Sequence, residues 1–166
     1  MPKLIKDGAV IANPWELIGR DETLAGSLDR QSANLLVPAS LWLENREAFI
    51  ASGKTIGVWL DAGQSPELLA EHLSELPLIA LNFPAFADGR SYSSAFILRH
   101  HYHYQGELRA IGDVLRDQLF YMKRCGFDAF DVQDGVKEAD ALAAFSDFAT
   151  SYQSTIAEPA PLFRRR

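Results

Sequence analysis

The sequence predicts a single α/β domain on an open, mostly parallel sheet of about five strands, Rossmann-like or flavodoxin-like, with βα repeats and a short N-terminal β-hairpin. Three observations predict it. Short, continuous apolar runs recur from Leu35 onward, as expected of strands covered on both faces. Stretches with helical periodicity lie between them. The links are only a few residues long, which favours βαβ units. About five strands are too few for an eight-stranded barrel, and a partial barrel that dimerises is the alternative.

The elements follow in order. Lys3 to Ile11 alternates around Asp7-Gly8, a two-residue turn suited to a type I′ hairpin. Residues 12–34 are polar and weakly periodic and yield no placement. The strands are then Leu35–Val37, Thr55–Leu60, Leu78–Phe83, Leu108–Ile111 and Ala129–Val132. The helices are Leu41–Ser52, Pro66–Leu76, Tyr92–His101, Val114–Cys125 and about Ala139–Tyr152. Ser65 caps a helix with proline at its first position. Gly53 and Gly126 each follow a helix, where a left-handed residue is expected. Residues 1–156 form the α/β domain, and residues 157–166, with two prolines and three arginines, form an extended basic tail.

Composition narrows the function. The net charge of −6 disfavours non-specific nucleic-acid binding. Apolar runs are too short to span a membrane, and the first residues lack a signal-peptide core. A cytoplasmic protein is expected. Cys125 is the one cysteine, so no internal disulfide forms. One thiol also falls short of the ligands an iron–sulfur cluster needs. The sequence calls for no cofactor and no metal.

Ligands of open parallel sheets bind beyond the carboxyl ends of the strands. Those ends carry Asp61, Asn82, Asp113 and Gln133-Asp134. The richest loop follows the third predicted strand and runs Phe83-Pro84-Ala85-Phe86-Ala87-Asp88-Gly89-Arg90-Ser91-Tyr92-Ser93. Arg90 and Ser93 there would suit an oxyanion, Arg90 by its planar donor fork; a plain turn and helix cap is the bland alternative. Asp113 and Asp117 stand one helical turn apart, as an acid–base pair or as a cap and a first-turn acid. Arg109 interrupts an apolar strand, so its charge must face a partner or a cleft. Asp88, Arg90 and Arg109 are expected to border one cleft. His100, His101 and His103 follow a helix end and carry no accompanying acid or thiol pattern. No phosphate-loop, dinucleotide or nucleophile-elbow motif is present.

The stretch from Phe83 to Phe130 resembles a known family. It carries Phe83-Pro84-x-Phe86-x-Asp88-Gly89-Arg90, Leu98-Arg99, Gly106-Glu107-Leu108-Arg109-Ala110-x-Gly112-Asp113-Val114-Leu115-x-Asp117-Gln118, and Arg124-Cys125-Gly126-Phe127-Asp128-Ala129-Phe130. Together with the ending from Tyr152-Gln153 to Pro161-Leu162-Phe163-Arg164-Arg165-Arg166, these resemble domain-of-unknown-function family 934 along essentially the whole chain. Ser91 stands where that family usually has glycine, and His100 to His103 where it tends to have arginine and glycine. The resemblance implies a small bacterial protein encoded beside assimilatory sulfite reductase, often labelled an oxidoreductase of sulfite reduction. It implies a role in sulfate assimilation with sulfite reductase as partner, and supplies no mechanism. Two expectations follow: an accessory protein of sulfite reduction, or a small enzyme acting on a sulfur oxyanion at the carboxyl edge of the sheet. A homodimer is compatible with either.

Overall fold

Asp7 and Gly8 both take positive φ, 52° and 75°, as a type I′ turn requires. The turn joins β1 (Lys3–Lys6) to β2 (Ala9–Ile11). The computed structural model describes residues 3–147, 156, 159–161 and 164. After the hairpin come β3 (Glu16–Leu17), α1 (Leu24–Leu28), β4 (Asn34–Pro38), α2 (Ala39–Glu44), α3 (Arg46–Ala51) and β5 (Thr55–Leu60). Next are 3-10 turns over Pro66–Glu75, β6 (Leu78–Phe83), α4 (Arg90–Phe96) continuing as a π-helical turn over Ile97–His101, and β7 (Glu107–Gly112). A 3-10 turn at Arg116–Gln118 leads into α5 (Leu119–Cys125), followed by β8 (Ala129–Val132) and α6 (Glu138–Ala144).

All eight strands join one sheet in the order β2-β1-β8-β7-β6-β5-β4-β3. From β3 to β8 each neighbouring pair is parallel, and β1 joins antiparallel to both β8 and β2. The fold is therefore mixed α/β with a mostly parallel sheet. Two finer expectations are corrected. Six strands are parallel rather than about five, because the two-residue β3 lies in the stretch that gave no signal. The parallel strands also run in sequence order, so the sheet lacks the reversal of strand order that a Rossmann or flavodoxin sheet has.

Chain geometry fixes the shape. β2 and β3 are opposite edges of the sheet, yet only residues 12–15 connect them. The five steps from Ile11 to Glu16 reach at most about 17 Å. Eight flat strands would put their edges roughly 34 Å apart. The sheet must therefore curl, and residues 12–15 form a strap across its concave face. The strap's contacts agree: Asn13 bonds Arg109 of β7, the Pro14 carbonyl accepts from Asn34 of β4, and the Trp15 ring abuts Gly57 of β5.

Alternation along the strands sorts side chains to the two faces. Leu35, Val37, Val58, Leu60, Ile79 and Leu81 enter the large core under the helices. Leu36, Trp59, Leu78, Ala80 and Ile111 form a smaller core with Trp15 on the concave side.

Each predicted helix differs in detail: Pro66–Leu76 is wound as 3-10 turns over Pro66–Glu75, and the last one is helical over Glu138–Ala144. Leu41–Ser52 is two short helices. They part at Asn45, whose side chain donates to the Leu41 carbonyl and whose backbone leaves the helical region at φ −127°, ψ 24°. Tyr92–His101 is α4 plus the π-helical turn. Val114–Cys125 starts late, because Leu115 is extended at φ −106°, ψ 158°. Gly126 closes α5 at φ +109°, with Arg99 packed where a side chain would stand. The end of the last predicted helix, from 148 to 152, lies outside the described residues, as does most of the predicted tail. Among the described residues, no helix is long and apolar enough to cross a membrane.

Candidate functional site

The carboxyl ends of the parallel strands collect polar side chains in two groups. The first centres on Asp61, just past β5. Its carboxylate accepts from Asn82 Nδ2 of β6 at 3.0 Å and from Arg20, which follows β3. Its backbone N–H donates to Gln64 Oε1 at 2.8 Å, which fixes the turn that holds it. The second group joins β7 to β8, where Gln133 Nε2 donates to Asp113 Oδ1 at 2.5 Å.

Asp88 and Arg90 stand beside the first group. The Arg90 guanidinium forks onto Asp88 at 2.9 and 2.6 Å, and the Arg90 N–H donates to the same carboxylate at 3.2 Å. These bonds hold the Asp88 pKa down at about 2. Arg90 also reaches the turn after β5: a Cβ on Gly63 would lie 3.5 Å from Arg90 Nη1. Ser93 is exposed on the outer side of α4. The neighbouring hydroxyl is the inward one, since Ser91 Oγ donates to the Asn82 carbonyl at 2.7 Å.

Arg109 is elsewhere, so the single cleft expected of Asp88, Arg90 and Arg109 does not form. Strand alternation turns Arg109 to the concave face, on the same side as Glu107 two residues earlier. It is 1% exposed and forks back onto Glu107 Oε1 at 2.8 and 2.6 Å, toward the amino end of β7. Its remaining nitrogen, Nη1, donates to Asn13 Oδ1 at 3.0 Å. Lys6 Nζ meets the other Glu107 oxygen at 2.7 Å, which raises the lysine's pKa. Nearby on β8, burial raises the Asp131 pKa, and its Oδ1 is buried without a hydrogen-bond partner.

Asp113 and Asp117 also separate. The extended Leu115 lies between them, so they share no helical face. Asp113 turns to Gln133, and Asp117 is exposed beside Arg116 at 3.6 Å. Gln118 secures the helix start instead, accepting from the Leu115 N–H at 3.2 Å and donating to the Phe86 carbonyl.

The histidines diverge. His100 stacks on Phe96, His101 meets Tyr102 edge-on, and His103 is exposed at φ 53°. Among the described residues, no group of three or more His, Cys, Asp or Glu side chains is placed to hold a metal ion. Burial pushes the Cys125 thiol's pKa up, as expected of a packed thiol rather than a nucleophile.

The motif residues Arg99, Gly106, Gly126 and Asp128 build a clasp at the amino end of the sheet. Arg99 donates to the carbonyls of Tyr104, Gly106 and Gly126 at 2.6, 2.9 and 2.9 Å and to Asp128 Oδ2 at 2.9 Å. The other Asp128 oxygen accepts from the Leu108 N–H at 2.8 Å. Arg20, Gln64 and Asn13 are the polar residues that the sequence did not single out. Their partners are remote in sequence or sit in the unplaced stretch, and only Gly19 beside Arg20 hints at a strand end.

Fold and site together define a strap-closed, mostly parallel α/β protein with a polar rim at the carboxyl ends of its strands. Its family follows from the sequence match. Residues 57–163 fit the model of a bacterial protein family of unknown function, DUF934. The match covers well over half the chain, and the chain belongs to that family. No curated protein matches it.

Proposed function

We propose that this chain is a non-catalytic accessory protein of assimilatory sulfite reduction that works by binding sulfite reductase. The link to sulfite reduction rests on the family resemblance. The observation that carries the non-catalytic part is the pairing of the arginines. Arg20 and Arg90, the guanidinium groups beside the rim, each already hold a carboxylate of this chain. An oxyanion bound there would sit against the negative charge of Asp61 or Asp88, which already partly neutralise these two arginines, and Arg109 is spent on Glu107 out of reach of solvent. The test is a pull-down from cells grown on sulfate, joined to a deletion strain grown on sulfate or on cysteine. Recovery of sulfite reductase and a growth defect on sulfate alone support the reading. A defect without association points to catalysis.

A second reading is a small enzyme that takes a sulfur oxyanion at the rim. The gathering of Arg20, Asp61, Asn82, Asp113 and Gln133 at the strand ends favours it, because that edge is where parallel sheets place their ligands. Under this reading Arg90→Ala leaves the fold intact and abolishes growth on sulfate. Full complementation by a folded Arg90→Ala protein rejects it.

A further inference from the structure

We propose that the outer face of α4 and α5 is the docking surface for a partner protein, and that the partner presents carboxylates beside apolar side chains. The inference deepens the accessory reading and rests on it for the partner's identity.

The surface is aromatic and continuous. Tyr92 of α4 meets Tyr121 of α5 with ring centroids 4.9 Å apart. One helical turn beyond Tyr92, Phe96 stacks on His100 at 4.9 Å. On α5, Arg124 lies over the Tyr121 ring at 6.0 Å. Gln118 ties in the loop before α4, donating to the Phe86 carbonyl. Phe86, Phe96 and Tyr121 are 56%, 46% and 50% exposed, a costly arrangement for three large rings unless something covers them.

Charge selects the occupant. Arg20, Arg30, Arg46, Arg90, Arg99 and Arg116 each hold a carboxylate of this chain. Among the described residues Arg124 holds none: its guanidinium faces the Phe120 and Tyr121 rings, and its Nε is buried without a hydrogen-bond partner among them. On a chain of net charge −6, the Arg124 guanidinium at this corner is the group suited to a partner's acids. Tyrosine and arginine side by side are also the residue types that dominate binding energy at interfaces.

Two measurements on the full chain test the proposal. The first follows amide chemical shifts on titration with an acetylated pentapeptide of alternating glutamate and phenylalanine. Shifts are expected on α4 and α5 and should weaken with added salt. They should be lost in Arg124→Glu and Tyr121→Ser and kept in the remote variant Arg46→Glu. No shifts there, or equal shifts in Arg124→Glu, would overturn the surface. The second measures binding of purified sulfite reductase to the same proteins. Loss of affinity by about tenfold or more in Arg124→Glu supports both ideas. Unchanged binding overturns the surface and leaves the accessory reading standing. No binding by the wild-type protein rejects the accessory reading, and the peptide then decides the surface alone. A dimer in sedimentation that Tyr121→Ser splits would assign the surface to a second copy and overturn the proposal.

Discussion

On the helix-covered face of the sheet, apolar side chains from β4 to β8 join residues of the helices in one large core. On the concave face, five buried apolar residues and Trp15 share the space with Lys6, Glu107, Arg109 and Asn13. The first face is held by apolar burial, which is non-directional and forgiving. The second is held by a fit between one ring and one glycine and by a charge network that is satisfied only as a whole. The difference says where the fold is vulnerable. It also says why Arg109, the most suggestive charge in the sequence, is structural.

The largest effect should come from the concave charges. Arg109→Ala leaves Glu107, 12% exposed, with Lys6 as its one cation among the described residues, and should cost about 3–5 kcal/mol in urea unfolding. A loss no larger than that of a surface substitution would remove the contrast between the faces. Next is the strap. A Cβ on Gly57 would meet both the Trp15 ring and the Leu78 side chain at 3.1 Å. Gly57→Val should cost about 1–3 kcal/mol and expose Trp15, seen as a shift of tryptophan fluorescence toward longer wavelength. On the forgiving face, Ile79→Val should cost only about 0.5–1.5 kcal/mol, with an unchanged fluorescence maximum.

The smallest effect depends on pH. Burial holds the folded-state pKa of Asp131 above its ordinary value, so stability is lost as pH rises through that raised pKa and the carboxylate charges. Asp131→Asn cannot ionise. It should match the wild type below the usual carboxylate range and exceed it at neutral pH, by less than about 1 kcal/mol after solvent screening. Equal stability at every pH would mean that Asp131 is solvated, and the concave face wetter than its packing implies.

What the sequence revealed followed the reach of each interaction. β5, β6 and β8 match their predicted bounds, because strands covered on both faces are mostly apolar. β3 left no trace, since two residues carry no period, and without it neither the edge of the sheet nor the strap is visible. The Asp88–Arg90 pair was legible because its members are two residues apart. Arg20 with Asp61, 41 residues apart, and Arg109 with Asn13, 96 apart, were not. The oddity of a charge within β7 was plain in the sequence; its direction was not, because the curl that brings Asn13 to it arises from the whole sheet.

The proposed function has this protein act by docking rather than by chemistry at the strand ends. It is tested most directly by complementing a deletion strain on sulfate as sole sulfur source. One plasmid carries the rim variant Arg20→Ala/Arg90→Ala and another the docking variant Tyr121→Ser/Arg124→Glu, with each protein's folding checked by circular dichroism. A docking protein should support growth as the folded rim variant and fail as the folded docking variant. Failure of the folded rim variant with growth of the docking variant would contradict it.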